Sequence, residues 1–287
     1  MAPSSDPARL RRGPILPVLL ARARIPLMWV GTAALVFGGH LGLGWWGRLT
    51  VFAVALLVYL RLGRMDRAPR TVLPPVRGRW MALNSPADHV PSQGTHAYGQ
   101  TYAVALVAEP ADGGRPDIGW RPFTRPPEDF PGFGATVYAP ADGTVLRVHD
   151  RQHDHRSRNS WPWLVGMVAE TAVRELRGPA GLLGNHVIID IGDGCYALLG
   201  HLRRGSVTVA AGDRVTAGQP IARCGNSGAC TEPQLRFQLM EHRWPLVAAG
   251  VPFRWAVPAA VPVGDGSGAD AAPAGTAPPR SWRPFTV

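Results

Sequence analysis

Long apolar runs occur only near the beginning of the chain. Residues 25–47 contain no charged side chain, and a helix of that length can cross the hydrocarbon core of a bilayer. Residues 49–60 form a second, shorter apolar run, and Trp45, Trp46 and Tyr59 near its ends are residue types that favour membrane interfaces. The pattern predicts a transmembrane helix or helical hairpin over residues 25–62. One span followed by an interfacial helix is the alternative.

The pattern changes to short β-rich runs at residue 79 and keeps this character to residue 255. Gly, Pro and Asp turns separate these runs. The pattern predicts a mainly β domain, a small antiparallel β-sheet or sandwich with a groove. The predicted strands lie at residues 100–107, 136–138, 143–149, 186–191, 196–199, 206–209, 220–224 and 235–240. Residues 161–177 predict an inserted helix or lid.

Three further segments complete the predicted organisation. Residues 1–24 read as a basic N-terminal tail, and residues 63–78, rich in Pro and Arg, read as an extended linker. Residues 256–287 are rich in Ala, Pro and Gly, a composition that predicts disorder.

The charge of the chain lies in its first part. The formal net charge is +10, and residues 1–80 hold 12 arginines against Asp6 and Asp66, so they account for all of it. The remainder is neutral overall, which argues against a nucleic-acid partner. The positive charge lies beside the apolar runs, which favours the membrane as a partner. Arginines on both sides of the apolar runs nevertheless predict cytoplasmic ends.

Several motifs follow one another in the second half of the chain. Residues 192–202 read Gly-Asp-Gly-Cys-Tyr-Ala-Leu-Leu-Gly-His-Leu, residues 212–219 read Gly-Asp-Arg-Val-Thr-Ala-Gly-Gln, and residues 225–228 read Gly-Asn-Ser-Gly. With Ala-Pro-Ala-Asp-Gly-Thr-Val at 139–145, their order and spacing resemble the M23 (LytM/lysostaphin-like) family of peptidoglycan endopeptidases. The resemblance covers about residues 80 to 242.

The resemblance also implies where zinc ligands should stand. Active members hold one Zn²⁺ with a His and an Asp of an early motif and with the second His of a late His-x-His motif. Here Gln234 and Arg236 occupy the late positions, and Ala105 occupies that of the Asp. The early His falls at Gln93, with His96 as the alternative.

One family position is retained. His201, in a His-Leu pair, matches the histidine that assists catalysis in the family, and Gln234 replaces another. Arg236 would place a permanent cation where a zinc ion binds, so we expect no metal and no other cofactor. The remaining groove residues are predicted to be His96, Gln93, Arg236 and Asn185.

Cys224 and Cys230 flank the Gly-Asn-Ser-Gly turn. Two interpretations of this spacing stay open, a disulfide in an oxidising compartment and a pair of free thiols.

These features predict a membrane-anchored M23 peptidase-like protein that is catalytically inactive and binds peptidoglycan or a cell-wall protein. We expect the β domain to lie outside the cytoplasm at the cell membrane, although the basic flanks conflict with this orientation. Two alternatives stay open. An active zinc endopeptidase of peptidoglycan would use His96 with non-standard ligands, and a cytosol-facing membrane adaptor would account for the arginines.

Overall fold

An antiparallel sheet of nine strands forms the centre of the structure. The computed structural model describes residues 15–61, 67–175, 177–256 and 277–287. The strands are β1 (Arg70–Val72), β2 (Arg79–Ala82), β3 (Val104–Ala108), β4 (Thr136–Tyr138), β5 (Gly143–His149), β6 (Asn185–Asp190), β7 (Tyr196–Leu202), β8 (Arg214–Val215), β9 (Pro220–Arg223), β10 (Leu235–Met240), β11 (Gly250–Val251), β12 (Phe253–Trp255) and β13 (Pro284–Thr286). The helices are α1 (Ile15–Phe37), α2 (Trp45–Arg61), α3 (Trp161–Glu175) and α4 (Pro179–Leu183).

The central sheet has the spatial order β13–β2–β3–β10–β7–β6–β5–β8, and β11 pairs with the end of β10. Two accessory sheets pair β1 with β12 in parallel and β4 with β9 in antiparallel fashion. The prediction of a mainly β domain with antiparallel sheets is therefore confirmed. This order places β10, which carries the substituted late motif, near the middle of the sheet.

Both faces of the central strands are buried. Val187 and Ile189 on β6 belong to the main apolar core, whereas Ile188 between them packs with Leu198 and Met240 in a second cluster. Because side chains alternate along a strand, consecutive apolar residues supply the two faces in turn. The continuous apolar run of β6 is thus explained by helices and loops that cover the face opposite the main core.

The prediction of a transmembrane helix or helical hairpin over residues 25–62 is not supported by the helices that the structure describes, and its bounds are corrected. Helix α1 begins at Ile15, so Arg24 lies inside it, and it ends at Phe37, within the run predicted as one span. Glycines follow, and Gly42 adopts φ 75°, a left-handed conformation that ends helices. Among the residues that the structure describes, no helix is both long enough and apolar enough to cross a membrane.

Helices α1 and α2 pack on the β domain. Arg24 is buried, and its Nη2 donates a hydrogen bond to the carbonyl oxygen of Ala248 over 3.4 Å. Ile25 packs with Ala97 and Tyr98 in a small apolar cluster, against which Tyr59 of α2 also lies. The two helices are therefore positioned next to the segment that carries the early motif.

The predicted linker contributes to the sheets. Within residues 63–78, β1 pairs with β12, and Val72 is buried in the main core. The linker interpretation is wrong for this strand, because two buried valines, Val72 and Val76, within a Pro-rich stretch give no alternating β pattern. Residues 62–66 lie outside the described part.

The two predicted tails are also corrected in part. The basic tail is helical from Ile15 onward. At the other end, β13 pairs with β2, and the Phe285 ring lies 5.4 Å from that of Trp255. The prediction of disorder is therefore wrong for residues 277–287, since their apolar side chains add to the core. Residues 1–14 and 257–276 lie outside the described part.

Candidate functional site

Strand β10 brings the substituted family positions together. Arg236 pairs with Ala105 on β3 and with Gly200 on β7. Gln234 immediately precedes the strand, and because side chains alternate, it lies on the same face as Arg236. The ladder therefore sets positions 105 and 236 side by side, as the family resemblance requires of two ligands to one ion.

A pocket of about 320 Å³ opens on this face. We call it the groove pocket. Among the predicted site residues, it brings together Gln93, Ala105, Gln234 and Arg236. The described residues that line it are Tyr59, Leu83, Asn84, Gln93, Thr95, Tyr98, Gln100, Ala105, Thr171, Glu175, Leu182, Ala229, Cys230, Thr231, Gln234 and Arg236.

Arg236 is the cation of the groove pocket. Its Nη1 donates a hydrogen bond to Oε1 of Gln100 over 2.5 Å, and its Nε is buried without a partner. Among the described residues, no carboxylate lies within 4.0 Å of this guanidinium. Burial lowers the pKa of Arg236 to about 10, so the side chain stays charged at neutral pH.

His201 is fully buried on a bulge of β7 and does not line the groove pocket. Its backbone is left-handed, with φ 61°, at the register shift between β6 and β7. This conformation is uncommon for a residue other than glycine, and bulges re-aim side chains. The Nδ1 atom lies 2.7 Å from the carbonyl oxygen of Ser227, and Nε2 is buried without a partner. Burial, and then the charge of Arg236, lower the pKa of His201 well below its usual value.

His96 and Asn185 are placed away from the groove pocket. His96 is buried, and its Nδ1 lies 3.0 Å from the hydroxyl of Thr101. The Asn185 amide donates to the carbonyl oxygens of Gln152 and Leu202 and accepts from the Gln152 N–H. Both side chains hold loops together, and of the two candidates for the early ligand position, Gln93 lines the pocket and His96 does not.

Glu175, at the end of α3, was not singled out from the sequence. Its Oε1 accepts hydrogen bonds from the hydroxyls of Tyr59 over 3.1 Å and Tyr98 over 3.0 Å. Burial, followed by the charge of Glu175, raises the pKa of Tyr59 to about 12. The predicted helix or lid over residues 161–177 was the one sequence signal for this side of the groove pocket. It could not indicate the partners of Glu175, because they are distant in sequence.

The side chains of the groove pocket do not fit a zinc ion. Zinc in proteins takes Cys, His and carboxylate ligands, and a catalytic site uses three of them. Positions 93, 105 and 236 supply an amide, a methyl group and a guanidinium. Within the described parts of the chain, no group of three His, Cys, Asp or Glu side chains is arranged to hold a metal ion.

The Gly-Asn-Ser-Gly turn is fixed by a neighbouring loop. Asp154 accepts hydrogen bonds from the backbone N–H groups of Asn226 and Arg204. Cys224 and Cys230 are both free and buried, which answers the question of pairing in favour of two thiols. Burial raises the pKa of Cys230, which lines the groove pocket, to about 12.

Residues 163–247 match the model of peptidase family M23. The matched region includes His201, the turn motifs and the late positions 234 and 236, and it begins after the early motif. The resemblance drawn from the motifs is confirmed over this region by the match to the family model. No curated protein matches the chain.

Several solved structures resemble the chain. The solution structure of lysostaphin is 20% identical with a TM-score of 0.30, and the match covers 55% of this chain and 41% of lysostaphin. The catalytic domain of a prophage-encoded M23 protein, EnpA from Enterococcus faecalis, is 24% identical (48% and 85% covered, TM-score 0.26). The SpoIIQ–SpoIIIAH pore-forming complex gives 17% identity (64% and 89% covered, TM-score 0.34).

Proposed function

We propose that this chain is an inactive M23 peptidase homologue that binds a cell-wall ligand, with peptidoglycan as the favoured candidate, in the groove pocket without cutting it. One observation carries the proposal: Arg236, a partly buried cation, stands directly opposite Ala105 where two zinc ligands would meet. A guanidinium cannot bind a metal ion and repels one, because it has five donors and no lone pair.

The scaffold around these substitutions supports binding as the remaining role. The bulge that aims His201 inward, the turn at 225–228 and the alternation of β10 are all present. A groove lined by amides and hydroxyls, such as those of Gln93, Gln100 and Thr231, suits a peptide, whose amide groups both donate and accept hydrogen bonds.

An active zinc endopeptidase that uses His96 is not favoured. His96 is bonded to Thr101 and does not line the groove pocket. A zinc site in the groove pocket would need an early ligand beside positions 234 and 236. Of the two candidates for that ligand, the residue that lines the pocket is Gln93.

In this proposal the β domain lies outside the cytoplasm, next to the membrane. Large apolar side chains exposed on α1, α2 and their connection support a membrane contact. They are Leu27, Trp29, Val30, Val36, Phe37, Leu41, Leu43, Trp45, Trp46, Val51, Val54, Leu57 and Leu60. Flotation of the purified chain with vesicles of anionic lipid tests this part; a chain that stays at the bottom of the gradient contradicts it.

The groove function is tested by sedimentation with purified peptidoglycan. The full chain should sediment with the insoluble polymer and should release no new amino groups from it, with or without added zinc. Arg236→Gln should weaken sedimentation, whereas Arg243→Gln, an equal charge change at an exposed position outside the pocket, should not. Release of amino groups that a chelator abolishes would refute the proposal.

A further inference from the structure

The groove pocket contains a cation, Arg236, that pairs with no carboxylate among the described residues. Cys230, which also lines the pocket, has its pKa raised to about 12 by burial and is a neutral thiol at pH 7. Glu175, on the helical wall, is held by the hydroxyls of Tyr59 and Tyr98. A buried charge without a partner is costly, so structures retain one mainly where it serves binding or catalysis.

The donors around Arg236 are only partly used. Its Nη1 bonds to Gln100, but Nε and Nη2 have no hydrogen-bond partner among the described residues. The side-chain amide of Gln234 lies on the same face, is 5% exposed, and likewise bonds to no described residue. A ligand entering the pocket therefore meets one guanidinium and one amide that are both free to donate.

We propose that the groove pocket binds the free carboxylate of a peptide ligand, which accepts hydrogen bonds from Nη2 of Arg236 and from the Gln234 amide. This inference rests on the proposed function, since it names the ligand group that the groove recognises. A single guanidinium matches a monoanion, and Arg–carboxylate hydrogen bonds are short and charge-assisted. The Asn84 Oδ1 and Gln100 Nε2 atoms, which bond to no described residue, remain for the adjoining peptide groups.

The size of the pocket agrees with a short peptide end. A volume of about 320 Å³ lies at the lower limit of ligand pockets. Phosphate and sulfate, which carry more charge, are usually held by several cations or by a helix N-terminus. Arg236 is the one arginine among the described residues that line the pocket.

The test compares two probes that differ in one group, N-acetyl-D-alanyl-D-alanine and its C-terminal carboxamide. Binding to the full chain is measured by NMR titration into the millimolar range. The wild-type chain should bind the carboxylate at least about tenfold more tightly than the carboxamide, because a charge-assisted hydrogen bond is lost in the latter. Arg236→Gln should remove this preference, Arg236→Lys should retain part of it, and Arg243→Gln should leave it unchanged.

The wild-type comparison decides the outcome even where Arg236→Gln fails to fold. Equal affinity for the two probes, or binding of neither, overturns the carboxylate proposal. Sedimentation with peptidoglycan is scored separately: wild-type sedimentation without a carboxylate preference refutes this inference and leaves the proposed function standing. A carboxylate preference without sedimentation refutes peptidoglycan as the ligand and leaves the carboxylate site standing.

Discussion

Restoring the family's ligands should create a zinc site in the groove pocket. The change is Gln93→His, Ala105→Asp, Gln234→His and Arg236→His in one chain. Positions 105 and 236 are cross-strand partners, whose Cβ atoms lie about 5 Å apart in such pairs. Two donors of a tetrahedral zinc ion lie roughly 3.4 Å apart at bond lengths near 2.1 Å, so both side chains can reach one ion.

The expected zinc affinity of this variant follows from its number of donor side chains. Positions 93, 105 and 236 supply no zinc donor in the wild-type chain, whereas the variant supplies three, the number used in catalytic sites. Structural zinc sites with four donors reach about 10–16 kcal/mol of apparent binding energy. With three donors and no matched second layer of hydrogen bonds, we expect about 8 kcal/mol, or a dissociation constant near 1 µM.

The assay is competition with a zinc-chelating dye, with the folded state checked by circular dichroism. Arg236→Gln alone is the control, since it removes the cation but adds no imidazole or carboxylate, and it should bind no zinc. If the fourfold variant folds and still binds no zinc at about 100 µM, the assignment of these positions to the family's ligands is wrong. Zinc binding by the control variant would contradict the donor argument.

Three further perturbations test other contacts. The free energy of unfolding should fall as pH drops below about 6.5, by about 1.4 kcal/mol per pH unit for each of His186 and His201. Burial holds the pKa of His186 at about 4 and that of His201 well below its usual value, so each takes up a proton only on unfolding. Tyr59→Phe should speed proteolysis within α1 and α2, because it removes the hydrogen bond to Glu175. Gly184→Ala should destabilise the domain by at least about 2 kcal/mol in urea titrations, because its φ is +66° and a Cβ would lie 2.4 Å from a carbonyl oxygen.

Each perturbation has a matched control. His186→Phe should flatten the pH dependence, and His89→Asn, at an exposed histidine, should not; a slope unaffected by His186→Phe would contradict its neutral burial. Tyr98→Phe keeps the α2 contact and should protect the two helices better than Tyr59→Phe; equal proteolysis rates would argue against docking through Tyr59. Gly192→Ala, with φ +82° and open space around it, should lower the free energy of unfolding by only about 1 kcal/mol. If both glycine substitutions lower it equally, the close contact at Gly184 makes no contribution.

The sequence allowed the strand that carries the late positions to be predicted because alternation is local. Once β10 is extended, positions 234 and 236 must share a face. The early ligand position was ambiguous between Gln93 and His96, because residues 97–102 fold into a 3-10 turn that no residue pattern announced. That turn directs His96 towards Thr101 and leaves Gln93 at the groove pocket.

Features that depend on distant contacts were missed. Glu175 meets Tyr59 and Tyr98 across large separations in sequence, and periodicity along one segment carries no information about such partners. The membrane-span prediction, which the described helices do not support, failed for a related reason. The prediction used only the length of an uncharged run. Helix α1 instead includes Arg24, whose side chain docks on the β domain, and it ends at Phe37, where glycines follow.

Zinc binding by the wild-type chain tests the central claim most directly. In equilibrium dialysis at micromolar free zinc, followed by elemental analysis, the account predicts less than about a tenth of a zinc ion per chain. Arg236→Gln should give the same value. One zinc ion held per wild-type chain, released by a chelator and unaffected by substitution of exposed histidines such as His89, would contradict the claim that the groove pocket has replaced its metal with a cation of its own.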